Sequence, residues 1–266
     1  MSYPTFYRLP ETNYGEVLEH NYEIVLLPWG ATEPHNYHLP YLTDAILTYE
    51  IAIDCAAMAL KQDVTCMVMP PVWLGSQNPG QWNKPFCIHT RSETQLAILT
   101  DIVTSLHGQG FRKMVILNGH GGNSFKPFVR DLAMRYPDFT LIVVDWWTTV
   151  PTAGYFEEHP DEHAGEQESS VMLHYHPELV DLVKAGDGKL SPCRIAGVDN
   201  KTGWMPRNWD EVSADTGIGN PSKSTAEKGK RYVQEVVQKI TSLLVDLKRC
   251  EIHFIQNTGN KGLNCF

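Results

Sequence analysis

Four short apolar runs divide the chain: Glu23–Leu27 (EIVLL), Val64–Met69 (VTCMVM), Lys113–Leu117 (KMVIL) and Thr140–Val144 (TLIVV). They carry β-branched residues and are followed by Gly, Pro, Asn or Asp, the pattern of buried strands ended by turns. Longer stretches with apolar residues at helical spacing predict helices over about Ala45–Leu60, Glu93–Gln109, Lys126–Tyr136, Glu168–His174 and Ser224–Lys248. The last is announced by the turn residues Asn220-Pro221-Ser222. Strand and helix in alternation predict an α/β fold, layered αβα with a mainly parallel central sheet. The Pro-, Gly- and Trp-rich region Gly186–Pro221 reads as long loops over a site and not as a linker. With no internal repeat or low-complexity tract, residues 1–266 are read as one domain.

In such sheets ligands bind beyond the carboxyl ends of the strands. Polar clusters fall there. Trp29–Asp44 follows the first run and contains Glu33, His35, His38 and Asp44. Carboxylate oxygen and imidazole nitrogen together suit zinc, manganese or iron, and one aspartate can bridge two ions. In an extended Glu33-x-His35 both side chains project to one side, because strand side chains alternate. Asn118-Gly119-His120-Gly121-Gly122-Asn123 follows the third run, and its glycines allow close approach of a ligand. Asp145-Trp146-Trp147 follows the fourth. A third cluster, Asp161 to Ser170 (DEHAGEQESS), enters a helix, where acids in the first turn also suit the helix dipole.

Composition narrows the partners. Hydrophobic content of 42% with 20% charged residues is that of an ordinary folded domain. A net charge of -9 disfavours nucleic acid and anionic membrane surfaces, which repel an acidic protein. The six cysteines are scattered without a C-x-x-C pair, so reduced thiols in a cytoplasmic protein are expected. The opening residues MSYPTFYRLPETNYGE have no apolar core of a signal peptide, and no stretch reaches the roughly 20 apolar residues of a membrane span. H-E-x-x-H, G-x-S-x-G and the phosphate-loop lysine are all absent.

Taken in order, E-P-H-x-x-H-L-P-x-x-T-D, N-G-H-G-G-N and E-H-A-G-E-x-E-S-S resemble the creatininase family, over most of the chain. The resemblance implies a layered α/β fold, two divalent ions per subunit (Zn and/or Mn, with Fe a third candidate), and hydrolysis of an amide-type bond in a small, often cyclic, molecule. It also implies a homo-oligomer, commonly a hexamer. Glu33, Asp44 and His120 look like ligands of one ion; His35, the shared Asp44 and Glu168 look like ligands of the other. His163 resembles the family's proton-shuttling histidine, with Glu162 beside it, and an imidazole of ordinary pKa about 6.5 suits that work. Ser76, Gly121 and Trp147 look like substrate contacts, and Asn118 or Asn123 like supports of the ligands. Two departures stand out. Gly122 occupies the place of a family glutamate, for which Glu166 is a candidate replacement, and Glu157-Glu158-His159-Pro160 occupies the place of a family tryptophan. Both weigh against creatinine itself. Relatives of this fold also hydrolyse keto-inositol-type rings or process a peptide, and a non-catalytic metal-binding protein is the remaining alternative.

Overall fold

The computed structural model describes residues 5–250; Cys265 and the chain ends of the 1–266 domain reading lie outside the described residues. All four apolar runs are strands: β1 (Ile24–Trp29), β2 (Cys66–Val68), β3 (Lys113–Asn118) and β4 (Thr140–Asp145). They form one parallel sheet in the order β2-β1-β3-β4. The helices are α1 (Tyr14–Leu18), α2 (Thr43–Leu60), α3 (Ser92–Gly108), α4 (Lys126–Arg135), α5 (Glu166–Tyr175), α6 (Ala196–Asp199), α7 (Trp209–Val212) and α8 (Ala226–Arg249).

Side-chain alternation along each strand divides the core in two. Ile24, Leu26, Cys66, Val68, Val115 and Leu117 face one layer with α2, α5 and α8. Val25, Leu27, Trp29, Met114, Ile116 and Leu141 face the other with α3 and α4. Both faces are covered, which is why the runs read as continuous apolar segments. Helix α8 contributes Tyr232, Val233, Val236, Val237, Ile240, Leu244 and Leu247, spaced to lie on one helical face. Its start is fixed by Thr225, whose hydroxyl accepts the Lys228 N–H at 3.2 Å. The edge strand β2 is shorter than its apolar run, and the backbone of Tyr7 and Leu9 pairs with Val68 along it. Among the described residues no helix is long and apolar enough to cross a membrane.

The chain leaves β1 for one edge and returns to β3 on the opposite side of β1, so a crevice opens between the carboxyl ends of these neighbours. The amino end of α2 is driven into it. Helix α2 begins at Thr43, earlier than its apolar spacing suggests, so Asp44 lies in its first turn instead of in a loop. Gly30 and Gly119 make this docking possible: a Cβ on Gly30 would stand 2.4 Å from the Ala45 nitrogen, and one on Gly119 would stand 2.6 Å from the Asp44 carbonyl oxygen. Residues 186–221 contain the short α6 and α7 and lie against the first motif. Asn36 exchanges hydrogen bonds with Gly186, and the backbones of His163 and Ile218 pair. Gly119→Ala is expected to destabilise the fold by about 1–3 kcal/mol through overpacking. Urea unfolding measures this, and an unchanged midpoint would mean that α2 is free to shift.

Candidate metal centre

Six side chains from separate segments converge at this crevice. Glu33 and His35 come from the loop after β1, Asp44 from the first turn of α2, and His120 from the loop after β3. His163 precedes α5, and Glu168 lies in its first turn. All but the partly exposed Glu168 are buried. The ligand atoms of Glu33, Asp44 and His120 lie within 4.8 Å of one another, as do those of His35, Asp44 and Glu168, and those of Glu33, His35 and His163. Nδ1 of His120 stands 2.8 Å from Glu33 Oε1 and 3.2 Å from Asp44 Oδ2, and Nε2 of His35 stands 2.9 Å from Asp44 Oδ1.

The orientation of the histidines is set from behind. Nε2 of His120 donates to the Ser76 carbonyl (2.7 Å), Nδ1 of His35 to the Glu33 carbonyl (3.1 Å), and Nε2 of His163 to the Pro34 carbonyl (3.0 Å). A carbonyl can only accept, so each of those nitrogens carries hydrogen and a neutral ring must turn a lone pair toward the carboxylates. Meanwhile Glu33 Oε1 and Asp44 Oδ2 are buried with no hydrogen-bond partner. Lone pairs facing unpartnered carboxylate oxygens repel unless a cation lies between them. Histidines anchored to backbone carbonyls and aimed at carboxylates are the donor set of a metal site.

The electrostatics make the same demand. Burial works to lower His120 and His35, but the Glu33 and Asp44 carboxylates override it, raising His120 well above its usual range and His35 to about 10. Burial works to raise Glu33 and Asp44, yet the neighbouring imidazoles hold both below the usual carboxylate range. Glu168 goes the other way: burial raises it, against the pull of His35 and His163. The cluster requires positive charge, and a divalent ion supplies it in place of protons.

The remaining expected residues are placed differently. Glu162 is exposed and paired with Arg207 at 2.7 Å, outside the converging groups. Glu166 does not replace the family glutamate: its Oε1 meets Lys228 Nζ at 2.5 Å and its Oε2 accepts the Glu157 and Glu158 N–H groups. Gly122 could not carry a side chain here, because a Cβ would lie 2.0 Å from the Ser76 carbonyl oxygen, the acceptor that orients His120. Ser76 therefore acts through its backbone, while its hydroxyl donates to Thr90 O. Gly121 is exposed, with nothing within 4 Å of an added Cβ. Trp147 is half-buried and packs on the α2–α5–α8 core, and Trp146 is fully buried. Asn118 and Asn123 brace the His120 loop: Asn118 bonds the backbone of His120, and Asn123 donates to Asn118 and Gly30 O and accepts the Ser76 N–H.

Of two buried glutamines beside the cluster, Gln77 falls in the stretch Gly75-Ser76-Gln77 that the family resemblance places at the substrate, and Gln81 was missed. Gln81 donates from Nε2 to Glu33 Oε2 at 2.5 Å, and Gln77 is buried with neither amide atom partnered. Nothing in its local sequence marks Gln81, because segment 70–91 has no helical or strand period. His38 stands apart from the cluster, its Nε2 2.7 Å from Ser169 Oγ.

The chain is similar over most of its length to known proteins. A family model, creatininase (creatinine amidohydrolase), matches residues 10–244. The chain is 30% identical over 240 residues to creatinine amidohydrolase of Pseudomonas putida, covering 83% of this chain and 88% of that one. It is 27% identical over 237 residues to the mycofactocin precursor peptide peptidase of Mycobacterium ulcerans, covering 87% and 88%. The crystal structure of a Bacteroides fragilis protein, provisionally named a creatinine amidohydrolase, superposes with a TM-score of 0.93 at 54% identity, covering 94% of this chain and all of that one.

Burial first, and then the nearby His35 charge, lower His38 to about 4. Its unfolded value is near 6.5, so between these limits the unfolded chain takes up a proton that the fold refuses. Stability from this residue is complete above about pH 6.5 and is lost as pH falls toward about 4. Unfolding midpoints across that window, measured with chelator present, should fall less steeply for His38→Asn than for wild type. Equal slopes would show that His38 does not set the acid limit.

Proposed function

We propose that this chain, which belongs to the creatininase family, is a hydrolase that holds two divalent ions and hydrolyses an amide-type C–N bond in a small molecule, cyclic amides being the first class to test. The observation that carries this reading is that buried His120 and His163, each tied to a backbone carbonyl at the far nitrogen, turn Nδ1 toward oxygens of Glu33 and Asp44 that have no other partner. His35 turns Nε2 to the second oxygen of Asp44. Glu33, Asp44 and His120 would hold one ion. His35 and Glu168 would hold the second, sharing Asp44. The mixed oxygen and nitrogen donors suit zinc or manganese, with iron a third candidate. Such a pair supplies Lewis acidity, activating water near neutral pH and polarising a carbonyl.

The rest of the work falls to the protein. His163 is fixed by its bond to Pro34 O and by the edge of Trp209, with ring centroids 5.6 Å apart. Its Nδ1 faces the cluster 3.8 Å from Glu33 Oε1, a position from which a proton can pass to a leaving nitrogen. Burial of the ligands keeps bulk water from weakening these interactions.

A second reading of His163 follows from its grouping with Glu33 and His35, which could hold an ion by themselves. One set of measurements separates the roles. Wild type should carry about two equivalents of metal and turn over members of a panel of cyclic amides assayed with added Mn2+ or Zn2+. Asp44→Ala should lose both ions. His163→Ala should keep both and lose turnover by about 10²–10⁴-fold, the usual contribution of proton transfer. Metal loss in His163→Ala would make it a ligand. Turnover restricted to keto-inositols or peptides would move the substrate to those classes, and full metal content in Asp44→Ala would end the two-ion reading.

A further inference from the structure

The two candidate ion groups are held by different parts of the fold. Glu168 is secured from its own helix start, where the Ala164 N–H donates to Oε2. Glu33 and His120 are secured from the segment between β2 and α3. There the Ser76 carbonyl accepts a hydrogen bond from the His120 Nε2–H, and Gln81 donates to Glu33 Oε2. Among the described residues no hydrogen bond from this segment reaches a side chain of His35, Asp44 or Glu168.

We infer that Gln81 is a positioning residue for the Glu33 ion site and controls its affinity separately from that of the His35–Glu168 site. This rests on the metal reading above. The Gln81 amide cannot serve either way round. Its Oε1 accepts the Asn78 N–H at 3.2 Å, which directs Nε2 to Glu33 at 2.5 Å. The side chain is buried, so water does not substitute for it. The bond occupies one oxygen of Glu33 and leaves the other, Oε1, between Nδ1 of His120 and Nδ1 of His163, at 2.8 and 3.8 Å. Without the amide, the carboxylate can rotate and its inner oxygen loses its aim. Outer partners of metal ligands typically contribute about 10–100-fold to affinity.

The test titrates metal-free protein with Zn2+ or Mn2+ alone, against a chromophoric chelator, so that each ion's affinity is read without turnover. Gln81→Met keeps the side chain's length and removes its donor. It should weaken one ion by about 10–100-fold and leave the other within about threefold. The weakened ion must be the one lost in Glu33→Gln and kept in Glu168→Ala. Gln81→Asn keeps the amide but withdraws it by one methylene, and should give the same pattern if Gln81→Met fails to fold. Equal weakening of both ions would mean general loosening of the site and would overturn the inference, as would unchanged affinities. If wild type bound no ion, the functional reading and this inference would fall together; if wild type bound two and the variants matched it, only the inference would fall.

Discussion

Carboxylates do not accumulate in a protein interior without compensation. Isolated charges there are strongly disfavoured, and like charges within a few ångströms disfavour each other. Here Glu33 and Asp44 are buried, Glu168 is mostly so, and one oxygen on each of the first two has no hydrogen-bond partner. The histidines that could neutralise them are each tied at the far nitrogen to a backbone carbonyl. With the rings neutral, what is left is a cluster whose histidine electron pairs point inward at carboxylates. Only positive charge at its centre reconciles that arrangement with burial.

The fold is arranged to keep the cluster closed. The crevice between β1 and β3 is the natural ligand position of an open parallel sheet. Gly30 and Gly119 let the amino end of α2 enter it, which places Asp44 between the other two segments. The Ser76 carbonyl fills the space in which a side chain at Gly122 would stand, so the region takes a backbone acceptor there. Glu166, the acid nearest to hand as a substitute, is instead committed to Lys228 and to the backbone of Glu157 and Glu158.

Much of the fold was legible because both faces of the sheet are covered. Double burial writes strands as short apolar runs, and all four are found where the runs lie. Glu33, His35 and His120 were legible because they follow strands, where sites form. The placement of Asp44 in a helix was not, since the helix start depends on glycines in other segments making room. The run Glu162–Glu168 shows the limit most clearly. Three acids look alike in sequence, and their roles are decided by partners such as Lys228 and Arg207, which are far along the chain. Gln81 and the Ser76 carbonyl were out of reach for a different reason. A backbone oxygen has no sequence signature, and an isolated glutamine in an aperiodic segment has none either.

A cluster of this kind should take up two ions. Crystals grown with Mn2+ or Zn2+ and measured on both sides of the metal absorption edge test it directly. Two anomalous peaks are predicted, one among Glu33, Asp44 and His120 and one among His35, Asp44 and Glu168. Full occupancy of the crystals by metal elsewhere, with no peak among these side chains, would contradict it.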